Sequence, residues 1–368
     1  MRKARVLIID DSAVIRRLLT DALSGEPAIE VVGTAANGKI ALAKIPQVNP
    51  DLVTLDIEMP EMDGLQTVRE IRKVYPKLPV IMCSTLTQRG AVATLQALSS
   101  GASDYVTKPA NVGSVTAALE MVQAQLIPKI KAFCPWTSPA AFPPSSGRGS
   151  AAAIAGNLKG RTDAVGRQID IIAIGVSTGG PNALTEVFRR LPAELPVPVV
   201  IVQHMPAVFT KYLADRLNDV SPLSVREATS GEVLQAGKAW LAPGDYHMAL
   251  ARTSSGIAIR LHQGPPENSC RPAVDVLFRS VAEIYGSRSL AAVLTGMGQD
   301  GLRGCEAIRE RSGIVLAQDE PSSVVWGMPG AVVRHGLADE ILPLAEIAPA
   351  LVRRSARRAF AVPVSVGG

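Results

Sequence analysis

The stretch Asp170-Ile-Ile-Ala-Ile-Gly-Val-Ser-Thr-Gly-Gly-Pro181 decides how the second half of this chain folds. Its apolar run ends at Ser177, and the glycines and proline that follow predict a buried strand, a tight turn and the start of a helix. This geometry presents the Ser177 hydroxyl at the carboxyl end of a strand, the edge where open α/β sheets keep their chemistry. Gly175-x-Ser177-x-Gly179 also fits a nucleophile-elbow pattern, which makes Ser177 a candidate nucleophile.

On both sides of this stretch, strand-like and helix-like segments alternate, which predicts parallel sheets with helices on both faces. Residues 129–168 are rich in Pro, Ala, Ser and Gly and lack periodicity, which is typical of a linker. We therefore expect two doubly wound α/β domains, over residues 1–128 and 169–352. The expected strands are Val6–Ile9, Ile29–Thr34, Leu52–Leu55, Val80–Cys83 and Asp104–Val106, then Ile171–Ile174, Val197–Val202, Ala239–Ala242 and Ala291–Leu294, with a hairpin formed by Tyr246–Ala251 and Gly256–His262.

The composition of the 368-residue chain excludes several classes of function. A hydrophobic content of 47% with 19% charged residues excludes wholesale disorder. Because the net charge is only +5 and aromatic residues make up 4%, a nucleic-acid partner is not expected. The four cysteines have no C-x-x-C or metal spacing, and no apolar stretch reaches bilayer length. These features favour a reducing, cytoplasmic location without structural zinc.

Charged and hydroxyl side chains end the strands of the first domain. Asp10 and Asp11 follow the first strand, Asp56 the third, Ser84 the fourth and Lys108 the fifth. Three carboxylates at one sheet edge repel each other unless a cation lies among them, and Mg²⁺ prefers such oxygen ligands. The lysine would bind an incoming phosphoryl group, and the hydroxyl would hydrogen-bond one of its oxygens. The alternative is that the carboxylates only cap the helices that follow.

His204 is the preferred base for Ser177 among the four histidines. It follows the strand that comes after the helix of Ser177, and should therefore lie at the same sheet edge. His247 lies in a turn that enters the hairpin and could line the pocket instead. His262 and His335 have polar or loop surroundings that are typical of surface histidines.

Asp300 is the preferred group for orienting that base. It follows a strand and a glycine-rich turn within Ala291–Gly301, and it could hold the imidazole Nδ1–H or simply cap the next helix. Asp275 and Asp319 are weaker candidates for the same role.

The turn at Ser177 also has to be distinguished from other glycine-rich turns. Backbone N–H groups near Thr178 and Met297 are candidates for an oxyanion hole, as a serine hydrolase requires. The chain order nucleophile, histidine, acid differs from the order in α/β-hydrolases, in which the histidine comes last. A serine in place of the middle glycine of a dinucleotide fingerprint counts against a Rossmann cofactor site.

The first domain resembles the receiver domain of two-component response regulators. The stretches that carry the resemblance are Val6-Leu-Ile-Ile-Asp-Asp-Ser12, Asp51-Leu-Val-Thr-Leu-Asp-Ile-Glu-Met-Pro60, Met62-Asp-Gly64 and Asp104-Tyr-Val-Thr-Lys-Pro109. The resemblance implies a flavodoxin-like fold, phosphorylation of Asp56 by a histidine kinase, and Mg²⁺ held by Asp10, Asp11 and Asp56. The residues that it implies for the switch are Ser84, Tyr105 and Lys108.

The second domain resembles the catalytic domain of chemotaxis receptor methylesterases, the CheB family. The motifs that carry the resemblance are Ile174-Gly-Val-Ser-Thr-Gly-Gly-Pro181, Gln203-His-Met-Pro206, Ala242-Pro-Gly-Asp-Tyr-His247, Arg271-Pro-Ala-Val-Asp-Val-Leu-Phe278, Leu294-Thr-Gly-Met-Gly-Gln-Asp-Gly301 and Ala317-Gln-Asp-Glu320. The resemblance implies a Rossmann-like domain without a cofactor, whose catalytic triad is Ser177, His204 and Asp300. Ala273 stands where this family often has serine.

Together the two resemblances imply a phosphorylation-activated serine hydrolase that serves chemotactic adaptation. It would demethylate glutamate methyl esters on methyl-accepting chemotaxis receptors and also deamidate receptor glutamines. The implied partners are a CheA-type histidine kinase and the receptors, reached at the membrane through protein contacts only. The alternatives are a binding-only regulator that docks on receptors and a DNA-binding regulator, which would need a small basic helix-turn-helix domain.

Overall fold

The first domain is a five-stranded parallel sheet with helices on both faces. The computed structural model describes residues 2–109, 114–137 and 168–356. The elements of the first domain are β1 (Ala4–Ile9), α1 (Ala13–Ser24), β2 (Ile29–Ala35), α2 (Gly38–Val48), β3 (Leu52–Asp56), α3 (Gly64–Val74), β4 (Val80–Ser84), α4 (Gln88–Ser99), β5 (Asp104–Thr107) and α5 (Val115–Phe133). The strand order is β2-β1-β3-β4-β5, so the winding reverses between β1 and β3, where Asp10 and Asp56 lie.

The buried residues of β1 show why this sheet is covered on both faces. Leu7 and Ile9 pack into one hydrophobic layer, whereas Val6 and Ile8 pack into the other, and all four are fully or almost fully buried. Continuous hydrophobic strands of this kind are typical of parallel sheets between two helical layers. Polar side chains cap the first turns of α1, α2 and α3, which fixes where each of these helices begins.

The second domain is a seven-stranded parallel sheet with a separate antiparallel hairpin. Its elements are β6 (Ile171–Val176), α6 (Gly180–Arg189), β7 (Val199–Gln203), α7 (Phe209–Val220), β8 (Ser224–Glu227), β9 (Lys238–Leu241), β10 (His247–Thr253), β11 (Gly256–His262), α8 (Val274–Tyr285), β12 (Ser289–Val293), α9 (Leu302–Glu310), β13 (Ile314–Gln318), α10 (Met328–Arg334), β14 (Glu340–Leu342) and α11 (Leu344–Ser355). The order of the large sheet is β14-β13-β12-β6-β7-β9-β8, and β10 pairs with β11 in the hairpin.

The position of β6 brings the candidate catalytic residues together. β6 lies between β12 and β7, so Ser177, His204 and Asp300 all follow adjacent parallel strands. The expectation of two doubly wound parallel-sheet domains is confirmed. The sequence analysis did not identify β8, β13, β14, α8, α10 or α11.

The two domains contact each other through α4 and β5 on one side and α6 and α7 on the other. The ring of Tyr105 stacks on that of Phe209, with centroids 5.1 Å apart and planes 8° apart. Arg216 donates a 2.8 Å hydrogen bond to the carbonyl oxygen of Leu95 in α4. Asn182 donates a second 2.8 Å bond to the carbonyl oxygen of Leu98. The carboxyl-terminal half of α4 is therefore bound directly by the second domain.

The junction between the domains is only partly visible. α5 continues to Phe133, past the boundary expected at residue 128. Most of the expected linker, residues 138–167, lies outside the described residues. In the part of the chain that the structure describes, no helix combines the length and the apolar character needed to cross a membrane.

Candidate functional site

The acidic cluster of the first domain forms as the sequence predicts. Asp10, Asp11 and Asp56 each offer an oxygen within 4.8 Å of the others, and only Asp11 is exposed. Lys108 Nζ lies 2.7 Å from Asp10 Oδ2 and 2.7 Å from Asp56 Oδ1. The ends of three strands thus place one lysine between two buried carboxylates.

Burial raises the pKa of Asp56 to about 6, and the charge of Asp10 adds to this effect. Lys108 and the Ile57 N–H, which donates a 2.7 Å bond to Oδ1, oppose the rise. Asp56 therefore carries an ionisation cost that a bound cation or a covalent modification would remove.

The residues of the cluster fit a hard divalent cation such as Mg²⁺. Asp10 Oδ2 is buried and makes no hydrogen bond of good geometry within the described residues, although Lys108 lies nearby. Three carboxylates supply the oxygen ligands that Mg²⁺ prefers. Asp10, Asp11 and Asp56 would hold the ion, and its charge would offset that of the phosphoryl group.

Of the three switch residues implied by the receiver resemblance, Lys108 lies in the acidic cluster, whereas Ser84 and Tyr105 make their contacts elsewhere. Ser84 Oγ donates to the carbonyl oxygen of Gly90 at 3.1 Å and accepts a 2.7 Å bond from Thr94 Oγ1. The hydroxyl is therefore bonded to α4. Tyr105 is 7% exposed and lies in the contact with Phe209.

The base and the acid of the expected triad form a direct pair in the second domain. His204 Nε2 lies 2.7 Å from Asp300 Oδ2, so the acid holds Nε2 rather than the Nδ1 that we expected. His204 Nδ1 instead faces Cys270 Sγ at 3.5 Å. Ser177 is half-buried and lines the same cavity as His204, but within the described residues no hydrogen bond joins its hydroxyl to the imidazole.

Asp300 is fixed by five hydrogen bonds and is 2% exposed. Burial by itself would raise its pKa, but the bonds from His204 and from backbone N–H groups outweigh burial and lower it below the ordinary value. The carboxylate is therefore ionised and has one orientation. The donors are His204 Nε2, Asn268 Nδ2 and the backbone N–H groups of Val274, Asp275 and Gly301.

The pKa of His204 is raised to about 9. Burial works in the opposite direction, but the hydrogen bonds and charges of Asp300 and Cys270 outweigh it. In this conformation the pairing with Asp300 and Cys270 therefore favours the imidazolium form of His204.

The three other histidines are bonded to the backbone and do not approach Ser177 as a base would. His247 is 1% exposed; its Nε2 donates to the Pro265 carbonyl at 3.0 Å and its Nδ1 accepts from the Ala273 N–H at 3.2 Å. His262 Nδ1 accepts a 3.2 Å bond from a backbone N–H, and His335 Nδ1 donates a 2.8 Å bond to a carbonyl oxygen of its own helix.

The two alternative acids are likewise engaged elsewhere. Asp275 accepts bonds from Asn268 and from the Gly304 N–H, and Asp319 accepts bonds from Ser322. Neither contacts His204. Asn268 bridges Asp275 and Asp300 at 2.9 and 3.0 Å.

The oxyanion-hole candidates lie in two loops that meet at Ser177. Within the described residues, the backbone N–H groups of Thr178 and Met297 donate no hydrogen bond, so both remain available to a ligand. A Cβ atom at Gly296 would lie 2.8 Å from the Cβ of Ser177, and the absence of that atom allows the loop of Met297 to approach the nucleophile.

Two residues beside the imidazole were not found from the sequence. Asn268 has a φ of 50°, a left-handed conformation that asparagine tolerates, and Cys270 faces His204 Nδ1. The available signal was their position immediately before the motif that begins at Arg271.

Residues of both domains line the cavity at Ser177, which has a volume of about 100 Å³. The residues from the first domain are Asp104, Tyr105, Val106, Thr107, Gln125 and Lys129, and those from the second are Ser177, Thr178, Pro181, Gln203, His204 and Pro206. The first domain therefore covers the candidate nucleophile.

These two folds and their sites define a response regulator whose output domain is built like a hydrolase. Residues 6–120 match the response regulator receiver domain family, and residues 172–351 match the CheB methylesterase family. The chain belongs to the CheB methylesterase family.

Curated relatives and a solved structure agree with this assignment. A protein-glutamate methylesterase/protein-glutamine glutaminase of Trichodesmium erythraeum is 54% identical, with 96% of this chain and 99% of that protein covered. A protein of the same name from a Nocardioides strain is 53% identical, with 96% of each chain covered. The crystal structure of the Thermotoga maritima CheB methylesterase catalytic domain matches with 42% identity and a TM-score of 0.50, covering 51% of this chain and 99% of that one.

Proposed function

We propose that this chain is a phosphorylation-activated serine hydrolase. It removes methyl groups from glutamate methyl esters of chemotaxis receptors and deamidates receptor glutamines by the same chemistry. The observation that carries the proposal is the 2.7 Å pair of His204 and Asp300 in the cavity of Ser177. The names of the curated relatives supply the substrate class.

In the proposed reaction, His204 takes the proton of Ser177 through Nδ1, because Asp300 engages Nε2. The Ser177 oxygen attacks the ester or amide carbonyl, and the N–H groups of Thr178 and Met297 stabilise the oxyanion. Methanol or ammonia leaves with the proton from the imidazolium. The same imidazole then activates water, which hydrolyses the acyl-enzyme and frees the glutamate.

The cavity at Ser177 supports an inactive state in the present domain arrangement. Residues of both domains line it and its volume is about 100 Å³, whereas a receptor helix is about 10–12 Å across. Access for the receptor therefore requires the first domain to move.

Phosphorylation of Asp56 would supply that movement by shifting an equilibrium between two domain arrangements. The phosphoryl oxygens would draw the Ser84 hydroxyl away from its bonds to α4. Because Arg216 and Asn182 bind carbonyl oxygens of α4, a displaced α4 would weaken the domain contact.

The proposed function also implies the partners of the protein. A CheA-type histidine kinase would donate the phosphoryl group, and cytoplasmic regions of methyl-accepting receptors would be the substrates, reached through protein contacts alone. We place the protein in the cytoplasm, with Mg²⁺ at the acidic cluster and no cofactor in the second domain. The family matches over 6–120 and 172–351 support a receiver domain over 1–128, a linker over 129–168 and a catalytic domain over 169–352.

The test is methanol release from methylated receptor membranes, with and without a small-molecule phosphodonor and Mg²⁺. Ser177→Ala should lower the rate by at least about 10³-fold. The phosphodonor should raise the rate of the wild type but not that of Asp56→Asn. Unchanged release by Ser177→Ala would contradict serine catalysis, and equal rates with and without phosphodonor would contradict the switch. Absence of release from every receptor membrane would favour a binding-only regulator.

A further inference from the structure

The side chain of Gln203 joins the backbones of the two residues proposed as nucleophile and base. Gln203 is the last residue of β7, pairs with Val176 of β6, and is 2% exposed. Its Nε2 donates to the carbonyl oxygen of Ser177 at 3.0 Å and to that of His204 at 3.1 Å. Because both partners are carbonyl oxygens, they can only accept, and the orientation of the amide is determined by its partners.

The other end of the same carboxamide has no partner. Gln203 Oε1 is buried and accepts no hydrogen bond within the described residues, an arrangement that lowers stability. The Ser177 carbonyl is already satisfied by the N–H of Gly180 at 2.8 Å. The two bonds donated by Nε2 are therefore partly offset by the cost of the unpartnered Oε1.

Gly180 makes room for the carboxamide. A Cβ atom at this position would lie 1.9 Å from Gln203 Oε1 and 2.7 Å from Val176 Cγ2. The close approach of the glutamine to the first turn of α6 thus depends on glycine.

We propose that Gln203 is a positioning residue for the hydrolase, which fixes the turn of Ser177 relative to the loop of His204. The inference rests on the proposed function, since that function makes these residues nucleophile and base. Within the described residues, the other bonds between the two segments belong to the strand ladder, which ends with the 3.2 Å bond from the His204 N–H to the Val176 carbonyl oxygen. Loss of the amide would therefore loosen the position of Ser177 relative to His204. A displacement of about 1 Å between reacting groups costs about 100-fold in rate.

The experiment uses the full-length protein with Mg²⁺, phosphodonor and methylated receptor membranes. Gln203→Met keeps the length of the side chain but removes both the donor and the unpartnered acceptor. We expect kcat to fall by about tenfold or more, KM to change by less than about twofold and Tm to fall by no more than about 2 °C.

Gln318→Met is the matched control for removing a buried carboxamide. Gln318 is fully buried at the end of β13, and both ends of its amide are bonded: Oε1 accepts from Thr295 N–H at 2.8 Å, and Nε2 donates to the Ser322 carbonyl at 2.8 Å. This variant should lower Tm by several degrees, because it leaves the Thr295 N–H unpaired.

A second variant, at Gly180, disturbs the position of the same carboxamide. Gly180→Ala should displace the carboxamide and reduce kcat as Gln203→Met does. In the Gln203→Ala background the same change should cause a much smaller further loss, because only the contact with Val176 Cγ2 remains.

The outcomes separate the two proposals. If Gln203→Met keeps kcat within about twofold of the wild type while Ser177→Ala is inactive, the positioning role is wrong and the proposed function stands. A fall in Tm as large as that of Gln318→Met would also overturn the positioning role, since it would indicate a structural one. An active Ser177→Ala would contradict the proposed function itself.

Discussion

Asp56 and Asp300 are both buried carboxylates just beyond parallel strands, but their surroundings move their pKa values in opposite directions. Asp56 faces a second carboxylate, and burial raises its pKa to about 6. Asp300 accepts five hydrogen bonds, which together with the imidazole lower its pKa despite burial. Burial acts in the same direction on both carboxylates, so the number and charge of the donors account for the difference between them.

Asp56 and Asp300 are therefore suited to different roles. Asp56 keeps an oxygen without a backbone donor, so it can accept a cation or a phosphoryl group. Asp300 has no such freedom, because five donors bind its two oxygens, an arrangement that suits the proposed role of orienting His204. The contrast leads to tests at each carboxylate and at the contact between their domains.

The largest effect is expected for Asp300→Asn. The amide cannot stabilise the imidazolium, so kcat for methanol release should fall by about 10³–10⁴-fold. The stability of the folded protein should respond as well. The pKa of His204 is raised from 6.5 to about 9, so this stabilisation is complete below pH 6.5 and is lost as pH rises to about 9.

Urea unfolding between pH 6 and 9 checks this linkage. The wild type should lose stability across the interval and Asp300→Asn should lose much less. A variant that keeps more than about a tenth of the wild-type kcat would show that Asp300 does not orient the base.

Asp56→Asn should raise the free energy of unfolding at neutral pH. The pKa of Asp56 is raised from 3.8 to about 6, so the folded protein binds this proton more tightly than the unfolded chain, and wild-type stability falls as pH rises across that interval. Above pH 6 the neutral asparagine should stabilise the receiver by about 1–3 kcal/mol.

Urea unfolding in the presence of EDTA measures the difference between wild type and Asp56→Asn. Added Mg²⁺ should raise the stability of the wild type at pH 7 and have little effect on the variant. An Asp56→Asn protein that is less stable than the wild type at pH 7 would contradict the raised pKa.

If the proposed switch is correct, the contact between the two domains couples the site of Asp56 to the site of Asp300. Replacing both Arg216 and Asn182 with alanine removes two hydrogen bonds to α4, worth about 1 kcal/mol each. The rate without phosphodonor should rise by about tenfold, and stimulation by phosphodonor should shrink accordingly.

Lys211→Ala is the control for this double variant. Lys211 lies on the same helix as Arg216, and its one ion pair within the described residues is an exposed one with Asp215. Its removal should leave the basal rate unchanged. An unaltered basal rate in the double variant would show that these bonds do not hold the inactive arrangement.

The smallest effect is expected at Asn268, which donates to both Asp275 and Asp300. Glycine accepts the φ of 50° without strain, so Asn268→Gly removes the amide with little cost in backbone conformation. One lost hydrogen bond of about 1 kcal/mol corresponds to a fall in kcat of about fivefold. Methanol release measures it, and an unchanged kcat would show that the remaining donors are sufficient for Asp300.

The two sheets and the residues that meet at each site could be predicted from the sequence, because local sequence patterns mark the ends of strands. Apolar runs ending at Asp10, Asp56, Ser177 and His204 fix which side chains reach the edge of each sheet. The short strand β8 has only four residues, too few for a pattern that distinguishes it from its surroundings. The helix α8 does carry an apolar face at helical spacing, which includes Val274, Leu277, Phe278 and Val281, and this signal was overlooked.

The details that determine reactivity could not be predicted in the same way. That Asp300 binds Nε2 and that Cys270 faces Nδ1 depend on side-chain orientation and on a loop whose residues Asn268 and Ser269 have positive φ. The stacking of Tyr105 on a ring of the other domain depends on the domain contact, which no local pattern specifies.

Ser177 is held in its turn through its own main-chain atoms. Its N–H donates to the carbonyl of Thr295 at 3.0 Å, and its carbonyl accepts from Gly180 and Gln203. None of these bonds uses the hydroxyl, so Ser177→Ala should preserve the architecture around the missing nucleophile. Freed from the first domain, such a variant would act as a substrate trap, able to capture methylated receptors without releasing them by turnover.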